Sequence, residues 1–316
     1  MRFLLFLLLS LTAVFAISKD EAFKALKNAK NHDHQDAPSS NAQPRDIPVD
    51  WHVLSQAAGM AQQDYCLFQR PGQEVGDAEL LYEYGDGNFV QRALIFKSKA
   101  LGITVSFEGT EPISALSAIH DLRFTLADPS PRLNGALPQG AQILRGFQEA
   151  YLAVSQPILH KVRELCAMYK EPRVTVTGHS LGAGMALIAA AHYNHVLDQG
   201  LHMGLVFGLP RTGNLKFANF IDQTLKGKFY YITNGRDPVP HVPPRLFGYQ
   251  HPSGQIWINP KNTENWHYYP GQENVHGANS LGLNLDFSEH SGIYFHTGLG
   301  HGWGTGQCPA VVNNKY

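Results

Sequence analysis

Charge is scarce in this chain. Asp, Glu, Lys and Arg together supply 16% of its 316 residues, against about 25% in an average globular protein. Hydrophobic residues, at 43%, hold the globular level. Disordered and coiled-coil classes need more charge or less apolar surface, so both are excluded. The 25 basic and 26 acidic side chains nearly cancel, leaving a formal charge of -1, and no basic patch suited to nucleic acid is present. Cysteine is rarer still: 3 residues cannot build a disulfide scaffold. No His-Glu-x-x-His or paired-Cys spacing occurs, so the sequence implies no metal, and it calls for no other cofactor. Asn-x-Ser/Thr sequons are absent, and with them the expectation of N-glycosylation.

Long apolar runs are also missing, with one exception at the N-terminus. Arg2 precedes an unbroken apolar run from Phe3 to Leu9, followed by small residues ending at Ala16. The run stops before Lys19-Asp20-Glu21, short of the roughly 20 residues that a membrane span needs. A positive start, a short apolar core and a small residue at the break are the marks of a secretory signal peptide over residues 1–16. The chain is therefore expected outside the cell, with no transmembrane segment. Residues 17–50 hold Pro38, Pro44, Pro48 and the polar run from Asn31 to Asp36, without apolar periodicity. They read as a propeptide or flexible arm, and His32, Asp33 and His34 as part of a solvated tail.

The folded body is expected over residues 51–316 as a single domain. Val53, Leu54, Ala57, Ala58 and Ala61 recur at helical spacing. Strand-like runs follow at Leu80 to Tyr84 and Phe89 to Phe96, joined by the turn signal Gly85-Asp86-Gly87. Another runs from Ile103 to Phe107. Helical and strand patterns then alternate. A helix face runs from Ile158 to Tyr169, then a strand from Arg173 to Thr177, a helix from Leu181 to Ala191 and a strand from Met203 to Phe207. A helix over Phe217 to Leu225 and a strand over Lys228 to Thr233 complete the series. This alternation predicts an α/β fold: a mostly parallel sheet with helices on both faces and an antiparallel start.

The chemistry centres on Gly178-His179-Ser180-Leu181-Gly182. It fits Gly-x-Ser-x-Gly, the turn that lifts a nucleophilic serine from a strand end onto a helix start. In a chain with 30 glycines the pattern alone is weak. Its context strengthens it: the β-branched run Val174-Thr175-Val176-Thr177 enters the motif, and the apolar Leu181 to Ile188 leaves it. A serine hydroxyl needs a base to take its proton and an acid to orient that base. In this arrangement the two follow in the order acid, then histidine. Asp198 and Asp222 fall at a helix end and within a helix, whereas Asp237 follows the strand ending at Thr233. The chain has 16 histidines, and the base stays open among those after Asp237, namely His241, His251, His267, His276, His290, His296 and His301; His290, ahead of an apolar run, leads, with His296 and His301 next.

At this point the residues resemble a known family, the secreted fungal class 3 lipases related to the Rhizomucor and Thermomyces enzymes, in a basidiomycete-type branch. The likeness spans about Trp51 to Cys308 and rests on ordered blocks. They are Val105-Ser106-Phe107-Glu108-Gly109-Thr110, the elbow, Phe207-Gly208-Leu209-Pro210-Arg211-Thr212-Gly213-Asn214, the stretch from Thr233 to Pro244, Phe247-Gly248-Tyr249, and His290 ahead of Tyr294-Phe295. The resemblance implies an α/β-hydrolase fold with a helical lid and a carboxylic ester hydrolase that cleaves acylglycerols through an acyl-enzyme. Alternatives within the same chemistry are a lipase restricted to mono- and diacylglycerols or a feruloyl-type esterase. A silent lipid-binding homologue is the reading from another class.

By the same resemblance Ser180, Asp237 and His290 form the catalytic triad, and Thr110 and the N–H of Leu181 the oxyanion hole. Cys66 and Cys308 match the family's disulfide, with Cys166 left as a buried free thiol. The lid would lie between Glu111 and Phe124, where Ile113, Leu116, Ile119 and Leu122 recur every three residues. The partner implied is a lipid substrate at an oil–water interface, with no obligate protein partner.

Overall fold

The computed structural model describes residues 38–110, 124–300 and 306–312. The signal peptide, most of the lid stretch and His301 lie outside the described residues.

Helix α1 (Trp51–Gln63) opens the body, with the Asp50 carboxylate accepting from the N–H of His52 at its start. Nine strands then form one sheet in which sequence neighbours are also spatial neighbours. They are β1 (Glu74–Val75), β2 (Ala78–Tyr84), β3 (Ala93–Ser98), β4 (Gly102–Phe107), β5 (Val174–His179), β6 (Met203–Phe207), β7 (Phe229–Asn234), β8 (Gln255–Ile258) and β9 (Trp266–Tyr269). The pairs β1/β2, β2/β3 and β3/β4 are antiparallel. From β4 through β8 every pair is parallel, and β9 returns antiparallel. Helices α2 (Arg145–Tyr169), α3 (Leu181–Val196) and α4 (Leu215–Thr224) supply the crossovers.

Period-two alternation assigns the strand residues to two cores. Ile103, Val105, Phe107, Val174, Val176 and Val206 bury against α2 and α3. Leu94, Phe96, Leu205, Phe207, Tyr230 and Ile232 bury against α1, with Leu54, Ala57, Ala58 and Ala61. Helix α3 is apolar almost all round because it is covered on nearly all sides: Gly182 to Tyr193 are buried throughout. This is the α/β-hydrolase architecture.

Several boundaries differ from the sequence reading for local reasons. The strand expected from Phe89 begins only at Ala93. Before it, one oxygen of Asp86 accepts the backbone N–H groups of Asn88, Phe89 and Val90 and winds the segment into a turn. Helix α2 starts at Arg145 and runs through Pro157, a residue that usually argues against a helix interior. Strands β8 and β9 were not anticipated; both are four residues long, next to turn-forming residues. Residues 38–50, grouped by composition with the N-terminal arm, lie along the β9 edge. Arg45 pairs with Tyr268, Ser40 N–H donates to the Gln272 carbonyl, and Val49 is buried in the α1-side core.

A disulfide joins Cys66, just beyond α1, to Cys308 near the chain end, with a Cα–Cα distance of 5.3 Å. Cys166 is free and half-buried. Among the described residues no helix is long and apolar enough to cross a membrane.

Candidate active site

The elbow follows from the crossing of β5 into α3. Ser180 has φ 59° and ψ -124°, a left-handed backbone that is costly for any residue with a Cβ. Two glycines make the turn possible. A Cβ on Gly178 would meet the carbonyl of Gly182 at 2.6 Å, and one on Gly182 would collide with the carbonyl of Phe107. The turn is held from the sheet side, where the N–H of Ser180 donates to the carbonyl of Phe207 at 3.0 Å.

Asp237 and His290 arrive from separate loops. Asp237 follows β7, and the backbone fixes its carboxylate: Oδ1 accepts from the N–H of Val239 at 2.8 Å. Its Oδ2 accepts from Nδ1 of His290 at 2.8 Å. Since a carboxylate only accepts, the proton sits on Nδ1 and Nε2 carries the lone pair. That Nε2 is buried and has no hydrogen-bond partner among the described residues. The backbone of Gly208 passes beside the pair in a left-handed turn, φ 56°. A Cβ there would lie 2.7 Å from Cε1 of His290 and 3.3 Å from Oδ2 of Asp237. Gly208 is thus a site residue that sequence reasoning placed only within a family block.

The other candidates among the described residues, His296, Asp222 and Asp198, lie in other surroundings. His296 sits between Trp51 and Trp266, with Nε2 3.3 Å from Glu264. Asp222 accepts from the N–H and hydroxyl of Ser253, and Asp198 is exposed in a turn after α3.

Thr110 and Leu181 each adjoin the elbow, one through Gly109 and the other directly after Ser180 in the chain. Phe107, at the end of β4, pairs with Gly178, so the next residues run alongside the serine. A Cβ on Gly109 would come within 3.2 Å of Cβ of Ser180; Thr110 follows directly. Leu181 is the first residue of α3, where N–H groups have no partner within the helix and the dipole favours negative charge.

Three residues that the sequence reading missed support this constellation. His179 stacks on His290, ring centroids 4.4 Å apart. Its Nε2 donates to the carbonyl of His290 at 3.0 Å, and its Nδ1 accepts from the hydroxyl of Tyr65 at 2.7 Å. Burial, and then the neighbouring His290, push the His179 imidazole well below its ordinary range; it stays neutral. Gln91 donates through Nε2 to the carbonyls of Glu108 at 2.7 Å and Gly109 at 3.3 Å. The latter carbonyl shares a peptide unit with the N–H of Thr110. A Tyr and a Gln carry no motif, so nothing in the sequence alone marked either.

Among the described residues no cluster of His, Cys, Asp and Glu could hold a metal ion. The arrangement places a serine on a strained turn in the same region as a histidine–carboxylate pair, the residue types that serine nucleophilic catalysis uses. Fold and site together define a serine hydrolase.

Comparison with known proteins narrows the class. The family model described as Lipase (class 3) matches residues 104–247. A secreted mono- and diacylglycerol lipase of Malassezia restricta, LIP4, is 52% identical over 277 residues, covering 88% of this chain and 91% of its own length. Another from Malassezia globosa, MDL2, is 46% identical, with 87% and 91% covered. Among solved structures, lipase II from Rhizopus niveus superposes with a TM-score of 0.68 at 27% identity, covering 79% of this chain and 96% of that one. The chain belongs to the class 3 lipase family. It is a lipase of the α/β-hydrolase fold.

Proposed function

We propose that the protein is a secreted lipase that hydrolyses mono- and diacylglycerols, with Ser180 as nucleophile, His290 as general base and Asp237 as its orienting acid. The observation that carries this reading is the 2.8 Å contact between His290 Nδ1 and Asp237 Oδ2. With Nδ1–H committed to Asp237, Nε2 is left as a buried acceptor without a partner among the described residues, on a ring stacked against His179, the residue before Ser180. In the reaction, Ser180 Oγ attacks the ester carbonyl while Nε2 takes its proton. Asp237 stabilises the imidazolium that forms. The N–H groups of Thr110 and Leu181 receive the oxyanion, each donor contributing about 100- to 1000-fold. The imidazolium then protonates the leaving glycerol oxygen. Water, deprotonated by the same nitrogen, releases the fatty acid from Ser180.

Restriction to partial glycerides is supported by the names of the relatives from both Malassezia species. The substrate is met at an oil–water interface. The same relatives are named as secreted, in keeping with the signal peptide read over residues 1–16; of the propeptide or arm read over residues 17–50, residues 38–50 lie against the β9 edge, and residues 17–37 are proposed to keep that role.

The test is hydrolysis of emulsified tri-, di- and monoacylglycerols by the purified protein, with Ser180→Ala as control. Fatty acid should be released from the partial glycerides, with a loss of at least about 10,000-fold in the control. Release from triacylglycerol at a comparable rate would overturn the restriction; no release from any of the three would overturn the function.

A further inference from the structure

Two short turns beside the site leave large apolar side chains in water. Leu67 and Phe68, just after α1, are 70% and 91% exposed, and Phe89, in the turn between β2 and β3, is 96% exposed. Phe68 also has a left-handed backbone, φ 58°, which costs energy in a residue with a Cβ. Exposure and strain together are the reverse of what folding alone selects.

Both turns are built rigidly. The first is stapled at Cys66 by the disulfide, and Gln69 Nε2 donates to the carbonyls of Gln63 and Cys66 at 2.8 and 3.1 Å. The second is closed by Asp86, whose Oδ1 accepts three successive N–H groups at 2.8, 2.8 and 3.0 Å. One buried guanidinium ties them together. Arg92 Nη1 donates to the carbonyls of Asp64 and Cys66 at 3.0 and 2.8 Å, and Nη2 to that of Asp86 at 3.4 Å. The tips, residues 67–69 and 88–90, carry no charge. They also lie next to the chemistry, because Gln91, one residue past the second tip, holds the carbonyls of Glu108 and Gly109 beside Ser180.

We infer that Leu67, Phe68 and Phe89 form a fixed docking rim for the surface of an aggregated neutral glyceride, seating the protein with the site facing the lipid. This rests on the proposed lipase function and names residues outside the lid stretch as the contact. The three rim side chains are themselves uncharged, so burying them in an uncharged lipid surface desolvates no ion of their own. Rings held in place beforehand lose little freedom on insertion.

The test separates docking from chemistry. Flotation of Ser180→Ala protein with diacylglycerol droplets is compared with and without Leu67→Ser, Phe68→Ser and Phe89→Ser. In the active background, the same triple substitution is assayed on a dissolved p-nitrophenyl butyrate solution and on emulsified diacylglycerol. Droplet binding and emulsion hydrolysis should fall at least about tenfold, with dissolved-ester hydrolysis unchanged within twofold. Unchanged flotation overturns the proposal, as does equal loss on both substrates. A fall in oligomer size on gel filtration also overturns it, by making the rim a contact between copies. If the unsubstituted protein hydrolyses neither substrate, the proposed function fails, while flotation still decides the rim.

Discussion

Arg236 and Glu289, each one residue before a member of the Asp237–His290 pair, form an ion pair of their own. The guanidinium reaches Oε1 of Glu289 through Nη2 at 2.8 Å and Nε at 3.0 Å, and the backbone N–H of Arg236 reaches Oε2 at 2.6 Å. The second pair therefore fixes the spacing of the two loops that the first pair needs. Glu289→Ala should lower kcat by about 10- to 100-fold, the range for a catalytic group displaced by about 1 Å. Glu289→Gln, which can still accept from the Arg236 N–H, should lose less. Steady-state kinetics on a dissolved ester check this, and two equally active variants would contradict it.

Gln91 acts on the oxyanion side. Its amide donates to the carbonyl of Gly109, orienting and polarising the peptide unit whose other end is the Thr110 N–H. Gln91→Leu should reduce kcat about tenfold and leave KM within twofold, because that N–H matters most once the oxyanion forms. A rise in KM at constant kcat would assign Gln91 to substrate binding instead.

Two members of the proposed triad stand in a restrictive local context in the sequence, whereas His290 is singled out from the later histidines only by the family resemblance. Ser180 lies between glycines at a strand–helix junction, and Asp237 comes directly after the β7 strand. The residues that support them were not legible, since their roles depend on long-range packing. Tyr65 and His179 are 114 positions apart, and His179 and His290 are 111 apart. The same holds for the sheet. Its parallel centre shows in alternating helical and strand patterns, whereas β8 and β9 are too short for periodicity to register. Phe89 was misread for another reason: an apolar residue in a strand-like run was turned outward by the Asp86 side chain.

Buried histidines set the response to acid. Burial is the largest cause in each case: it lowers His241 to about 3, His251 and His192 to about 4, and His179 well below its ordinary value. In the unfolded chain these groups take up protons below about pH 6.5, while the native state leaves them neutral. Stability is therefore lost as pH falls from about 6.5 towards 4, by at most about 1.4 kcal/mol per pH unit for each histidine. Asp64, raised by burial, works in the opposite direction, but it is one group against four. The Tm should drop by at least about 5 °C between pH 7 and pH 5. A Tm that is flat or rising over that interval would contradict the account.

The Cys66–Cys308 bridge spans 242 residues of sequence. By restricting the unfolded chain over so long a loop, it should contribute about 2–5 kcal/mol. Cys66→Ser should unfold at correspondingly lower urea concentration. It should also weaken droplet binding, because the turn bearing Leu67 and Phe68 loses its staple. Equal urea midpoints for the two proteins would show that the bridge does not constrain the unfolded state.

The central claim is that His290, oriented by Asp237, activates Ser180. The most direct measurement is intact-mass and peptide analysis after reaction with an alkyl phosphonate that labels activated serines. One adduct per chain, located on Ser180 and lost in His290→Ala, is the predicted result. An unlabelled Ser180, or labelling that persists without His290, would contradict it.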